Sequence, residues 1–250
     1  MKRFVAILMI FVFTAILAAC NLVLYPAAAG EHGGAGDGSG GAANAGAPAS
    51  VASLKIVVDP GHGGKDYGAV GTDTGVLESE LNLQVANHLV ELFEEAGAQV
   101  LMTRQSAEVD YSGEAQTEKL KDMNNRAQAI REFEPDAVVS VHMNKFSDRS
   151  VRGAEVFWQN GREIGQSLAQ YIQDELNNRV NTIKQRRSHS GDLYILQVVD
   201  QPSVLVECGY LSNAEEEKLL QDKEHQKLLA QCIFDGVCKY FGVERAVISK

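Results

Sequence analysis

Three stretches of the chain place acid–base or metal-binding side chains directly after apolar, β-branched runs: Asp59-Pro60-Gly61-His62-Gly63-Gly64, Val141-His142-Met143-Asn144 and Val206-Glu207-Cys208-Gly209. Open α/β sheets carry their ligands where strands run out into loops, so His62, His142 and Glu207 are the first candidates for chemistry. Two imidazoles with a carboxylate can share a divalent cation or move protons, and residue types alone do not decide between these. Glycines beside His62 let the backbone approach a ligand closely, and suit a plain tight turn nearly as well. His62, Glu78 and His142 lie 16 and 64 residues apart, without the short spacings of structural zinc sites, so spacing does not identify a metal centre.

Each candidate has a simpler explanation. Glu78 opens an amphipathic segment, where a carboxylate complements the helix dipole without any metal. Glu207 sits in an apolar run, where it could be half of a buried ion pair. The glycine-rich stretch from Gly61 to Gly75 is not followed at once by a helix and has no Lys-Ser or Lys-Thr pair, which argues against a phosphate-binding loop. Cys208 adjoins Glu207, but strand neighbours point to opposite faces and no His is near in sequence, which argues against a cysteine nucleophile. His88, His189 and His225 have no supporting motif and read as surface or packing residues.

The elements that would position these residues alternate. Lys55 to Asp59, Val100 to Arg104, Ala137 to His142, Glu155 to Trp158 and Val204 to Cys208 read as short strands. Between and after them come helical stripes: Val85, Leu89, Leu92 and Ala96, ended by Gly97; Leu120, Met123, Ala127 and Ile130; and Ile164, Leu168, Ile172 and Leu176. Two more helical segments close the chain, Glu215 to Leu220 and Glu224 to Tyr240, the latter burying Leu228, Ile233 and Val237. Gln105 to Glu118 is polar and reads as a surface loop. This alternation predicts one α/β domain, over 53–242, with a mostly parallel twisted sheet flanked by helices, followed by a tail at 243–250.

Ahead of that domain, Lys2 and Arg3 precede an apolar run from Phe4 through Ala19 broken only by Thr14. Residues 1–25 read either as a lipoprotein signal, with Cys20 after Leu17-Ala18-Ala19, or as a membrane anchor extended by Leu22, Val23 and Leu24; both place the remainder outside the cytoplasm. Residues 26–52 are dominated by Ala and Gly and form a flexible tether with a reach of roughly 25 to 30 Å. With 23 Lys plus Arg against 33 Asp plus Glu, the net charge of −10 leaves no global field for a nucleic-acid backbone. Of four cysteines, Cys208, Cys232 and Cys238 lie outside the leader; the last two stand about 9 Å apart along a helix, too far to bridge, so burial as small apolar groups is expected.

From about Leu54 to Gly242 the sequence resembles the zinc-dependent N-acetylmuramoyl-L-alanine amidases. The resemblance runs through Val58-Asp59-Pro60-Gly61-His62-Gly63-Gly64, Leu77-Glu78-Ser79-Glu80-Leu81-Asn82-Leu83, Met102-Thr103-Arg104, Ser140-Val141-His142-Met143-Asn144 and Leu205-Val206-Glu207-Cys208-Gly209-Tyr210-Leu211-Ser212-Asn213. It implies that His62, Glu78 and His142 bind one Zn2+ and that Glu207 is the catalytic carboxylate, acting on the bond between muramic acid and the first stem-peptide residue of peptidoglycan. Glu80 rivals Glu78, but the family interval to the Asn-Leu pair favours Glu78. Two neutral imidazoles and one carboxylate leave an ion a net positive charge and an open position, which suits hydrolysis.

Only Lys145 to Arg152 separate the Ser-Val-His-Met-Asn motif from Gly153, too few residues for the helical plug that some relatives carry over the site. That brevity, the polar segment Gln105 to Glu118, and Leu193-Tyr194-Ile195-Leu196-Gln197 leading to Gln201-Pro202 resemble the germination-specific subgroup of endospore formers. The subgroup removes stem peptides from spore cortex for muramic δ-lactam formation. A site without a plug leaves control to expression, localisation or an activating protein partner. A vegetative cell-wall amidase, or a zinc-dependent peptidoglycan-binding protein without turnover, are the alternatives.

Overall fold

The computed structural model describes residues 50–243; the expected leader at 1–25, the tether up to residue 49 and the tail from residue 244 lie outside the described residues. Six strands form one sheet: β1 (Lys55–Pro60), β2 (Gln99–Met102), β3 (Ala137–Asn144), β4 (Glu155–Gln159), β5 (His189–Gly191) and β6 (Ser203–Tyr210). Their spatial order is β2-β1-β3-β6-β4-β5. The first four in that order run parallel, and β4 turns antiparallel against β6 while staying parallel to β5. The mostly parallel sheet read from the sequence is present, with a reversed pair at one edge.

Helices α1 (Glu78–Glu95), α2 (Glu118–Phe133), α3 (Glu163–Arg179), α4 (Ala214–Leu220) and α5 (Lys223–Phe241) complete the domain. Both sheet faces are covered, which is why β1 reads as a continuous apolar run. Ile56, Val58, Val139, Val141, Val204 and Val206 join the larger core with residues of α1, α3 and α5. Val57, Val138 and Leu205, on the other face, pack with Ala127 and Ile130 of α2 and with Ile195 and Leu196. Among the described residues no helix is long and apolar enough to cross a membrane.

Several expected details shift. Phe93 and Leu229 are fully buried, while the expected Leu92 and Leu228 are partly buried against the same core; Val85, Leu89, Ala96, Ile233 and Val237 are buried as expected. Leu120 and Ile164, each in the first turn of its helix, are 43% and 48% exposed and not part of the core. β2 stops at Met102, and Arg104 turns inward instead of continuing it. β5 was not expected: His189-Ser190-Gly191 is too short and polar to show strand alternation. Cys208, Cys232 and Cys238 are free and buried, as expected of small apolar groups.

Candidate active site

β1 ends at Pro60, and the next carbonyls have no strand partners. Two buried arginines take them up. Arg104 donates from Nε to the carbonyls of Pro60 (3.0 Å) and His62 (2.7 Å), and from Nη2 to Gly61 (3.0 Å). Arg126 donates from Nη1 to Pro60 (2.8 Å) and from Nη2 to His62 (2.6 Å), while its charge is met by Asp59 (2.8 Å) and Asp122 (2.7 Å). Burial and the neighbouring Arg126 push the Arg104 guanidinium down to about 10, so both remain charged at neutral pH. Within this grip His62 adopts a left-handed backbone with φ 60°, a conformation that costs a non-glycine residue about 1–2 kcal/mol.

That conformation turns the His62 ring toward α1 and β3. His62 Nε2 lies 3.2 Å and His142 Nδ1 lies 3.0 Å from the same oxygen, Glu78 Oε1. The other Glu78 oxygen accepts from the Ala69 N–H at 2.6 Å, and Asn82 and the Met143 N–H also reach Oε1. One donor atom each from His62, Glu78 and His142 falls within 4.8 Å of the others. Ligands around a tetrahedral zinc stand about 3.3 Å apart, so the pairs at 3.0 and 3.2 Å fit such an ion. Burial would raise the Glu78 carboxyl, but the two imidazoles overcome this and hold it well below the usual carboxylate range, ready as an anion. A Cβ on Gly61 would sit 2.1 Å from the His142 ring, and one on Gly68 would sit 2.4 Å from Glu78 Oε2, so both positions are kept clear for this cluster.

Glu80, the rival carboxylate, is exposed on the first turn of α1, while Glu78 is buried. The helix-dipole account of Glu78 is incomplete, since its carboxylate is spent on the histidines and on loop amides. Glu207 pairs with His142 across the β3–β6 ladder, so the two side chains share a sheet face at the strands' C-terminal edge. Its Oε2 is buried without a hydrogen-bond partner, and no salt bridge reaches it among the described residues, which removes the ion-pair explanation. Burial pushes the Glu207 carboxyl up to about 7, with His142 pulling the other way. Cys208 points into the core, where burial raises its thiol far above any useful range for a nucleophile. His88 bonds Glu91 at the surface, and His225 sits away from this cluster near the start of α5.

Asp66 was not singled out in the sequence. Its Oδ1 lies 3.0 Å from His62 Nδ1, and its Oδ2 lies 3.1 Å from Lys119 Nζ. A carboxylate on Nδ1 fixes the proton there and frees Nε2 to face the Glu78 side. Asp66→Asn is expected to weaken divalent-metal affinity about 10- to 100-fold, read by competition with a chromophoric chelator. Unchanged affinity would show that the His62 ring needs no such orientation.

A sheet-edge cluster of two histidines and a carboxylate, with a second carboxylate held proton-hungry beside it, is the equipment of a hydrolase. The family model described as N-acetylmuramoyl-L-alanine amidase matches residues 56–239, and the chain belongs to that family. As a member it is an N-acetylmuramoyl-L-alanine amidase, a peptidoglycan hydrolase. It is 34% identical over 190 residues to the germination-specific N-acetylmuramoyl-L-alanine amidase of Bacillus subtilis, covering 74% of this chain and 79% of that protein. It is 31% identical over 187 residues to the probable cell wall amidase LytH of Staphylococcus epidermidis, covering 74% of this chain and 58% of that one. Among solved structures, the CwlD amidase from Clostridioides difficile in complex with the GerS lipoprotein superposes with a TM-score of 0.73 at 33% identity, covering 76% of this chain and all of that one.

Proposed function

We propose that the protein is a zinc-dependent amidase that removes stem peptides from spore-cortex peptidoglycan, preparing muramic acid for δ-lactam formation. The observation that carries the chemistry is the convergence of His62, Glu78 and His142 within 4.8 Å beside the unpartnered Glu207 oxygen. His62, Glu78 and His142 would hold the ion. Once bound, a zinc ion supplies Lewis acidity, acidifying a water and polarising the lactyl carbonyl. Glu207, whose Oε2 has no hydrogen-bond partner among the described residues, accepts the proton of the attacking water. The same carboxyl then protonates the alanine nitrogen, because an amide nitrogen leaves poorly as an anion. The buried arginine grip holds His62 in place throughout, and Asp66 keeps its reactive nitrogen facing inward.

The spore role is supported by the identity to the Bacillus subtilis enzyme. The likeness to a probable cell wall amidase supports a second reading, action on vegetative wall. Loss of muramic δ-lactam from the cortex of a deletion strain would favour the first, and unaltered cortex the second. An activating partner belongs to the proposal, because the Clostridioides difficile relative was solved with a lipoprotein. Strong activity of the purified protein alone would argue against an obligatory activator. In this reading the catalytic domain works outside the cytoplasm, tethered through residues 1–25 by a lipid on Cys20 or by a signal anchor.

The central test is product mass with metal analysis. With its activating partner present, the purified protein is expected to release peptides with a free alanine amino terminus from cortex glycan, to contain one zinc per chain, to stop on chelation and to recover with added zinc. Activity that survives complete metal removal would overturn the metal assignment, and cleavage at another bond would overturn the reaction.

A further inference from the structure

Beyond Glu207 the sheet edge carries a second polar group that the hydrolytic scheme leaves unused. Glu155 opens β4 and pairs with Glu207 across the antiparallel ladder, just as His142 pairs with Glu207 on the other side. His142, Glu207 and Glu155 therefore stand in one row on one face. Glu155 is 3% exposed, and its charge is taken up internally. Tyr210 Oη donates to its Oε1 at 2.6 Å, Arg186 Nη2 makes a close ion pair with the same oxygen, and His189 Nε2 lies 3.4 Å from the other.

Arg186 is built into place. Its backbone N–H donates to Asn177 Oδ1 (2.9 Å) and its carbonyl accepts from Asn177 Nδ2 (2.8 Å), which fixes the residue on both sides. Its Nη2 also lies 3.3 Å from Tyr210 Oη. Nη2 is the single guanidinium nitrogen engaged among the described residues, so Nε and Nη1 keep their donors, and the side chain retains 17% exposure. A fork with one prong anchored on a buried carboxylate and its remaining donors uncommitted is a pre-organised receptor for a second carboxylate.

The proposed reaction gives the edge a direction. This step rests on that reading: Glu207 hands its proton to the leaving alanine nitrogen, so the sugar lies on the His62–His142 side and the peptide extends past Glu207 toward β4 and β5. Neighbouring strands are about 4.8 Å apart, and one peptide residue advances about 3.5 Å, so a group one residue beyond alanine comes level with the Glu155–Arg186 pair. We infer that Arg186, anchored by Glu155 and Tyr210, binds a free carboxylate on the second residue of the stem peptide and makes the enzyme selective for substrates that carry it.

The test compares two glycan-linked peptides identical except that the second residue ends in a carboxylate or a carboxamide. The wild-type protein is expected to favour the carboxylate by about 10- to 100-fold in kcat/KM, carried mainly in KM, as a charge-assisted hydrogen-bonded pair would give. Arg186→Gln is expected to bring that ratio close to one. Arg186→Lys, which keeps the charge and loses the fork, is expected to fall between. Because both substrates are measured on one preparation, the ratio does not depend on how much of a variant is folded. Where Arg186→Gln yields no folded protein, Arg186→Lys carries the test, and a ratio equal to that of the wild type overturns the inference. Equal cleavage of both substrates by the wild type, or an undiminished ratio in Arg186→Gln, also overturns it while leaving the amidase reading intact. Cleavage of neither substrate with the activating partner present overturns both.

Discussion

Glu207→Gln is expected to lower kcat by about 10²- to 10⁴-fold while the protein keeps its metal. The substitution preserves shape and removes the only function asked of the residue, proton acceptance followed by proton donation. Metal content by elemental analysis and single-turnover product release, measured on the same sample, separate this outcome from a lost ion. If the variant turned over at the wild-type rate, Glu207 would have no role in proton transfer. If the wild type bound glycan with no turnover and the variant bound it equally well, the protein would be a binding module.

The same variant carries an expectation for stability. With its folded value near 7 against an ordinary 4.5, the Glu207 carboxyl binds a proton more tightly in the folded than in the unfolded chain. Its stabilising contribution is present below about pH 4.5 and is lost as pH rises through 7. In chelated wild-type protein this one group therefore removes up to roughly 3 kcal/mol between pH 4.5 and 8, and Glu207→Gln abolishes that part of the slope. His62, whose imidazole is raised by Glu78 and Asp66 against the pull of burial, loses its contribution in the same direction above about 6.5; because His62 and Glu207 act on one another, the difference between the two proteins reads Glu207 together with that coupling. Urea unfolding in chelator at several pH values reads the difference directly. A carboxylate buried without a hydrogen-bond partner thus weakens the metal-free fold at neutral pH.

The parts of this site legible in the sequence were those written in local pattern. The β-branched runs before His62, His142 and Glu207 marked strand exits, and the strands lie there because a sheet covered on both faces demands unbroken apolar runs. The grouping of His62, Glu78 and His142 was not legible from spacing, because it is made by strand order: β1 and β3 are neighbours although Val100 and the whole of α2 lie between them in sequence. Asp66, Arg126 and Arg186 were missed for a related reason. Arg126 and Arg186 act through partners remote in sequence or through loop carbonyls, Asp66 meets His62 four residues away in an irregular turn, and isolated charged residues carry no periodic signal. Leu92 and Leu228 are only partly buried beside the fully buried Phe93 and Leu229, since adjacent apolar residues leave the edge of a helical stripe undetermined.

Arg126→Met is expected to destabilise the folded protein by about 3–5 kcal/mol, the cost of breaking a buried ion pair from one side. Arg126 and Asp59 have side chains only 3% and 4% exposed. Burial alone would raise the Asp59 carboxyl, yet Arg126, Ser140 and Thr103 together hold it below the usual range, so it stays an anion that needs its cation. Methionine fills much of the arginine's volume but leaves that anion uncompensated and strips one donor each from the carbonyls of Pro60 and His62. The second change in a double-mutant cycle apportions the loss. Asp59→Asn in the Arg126→Met background removes the stranded charge, and urea unfolding is expected to recover about half of the lost stability. Metal affinity is expected to stay low in the double variant, because the His62 carbonyl still lacks the Arg126 donor that helps hold its left-handed backbone. Full recovery of metal affinity would mean that Arg104 alone suffices to grip the loop; no recovery of stability would place the cost in the carbonyls and not in the charge.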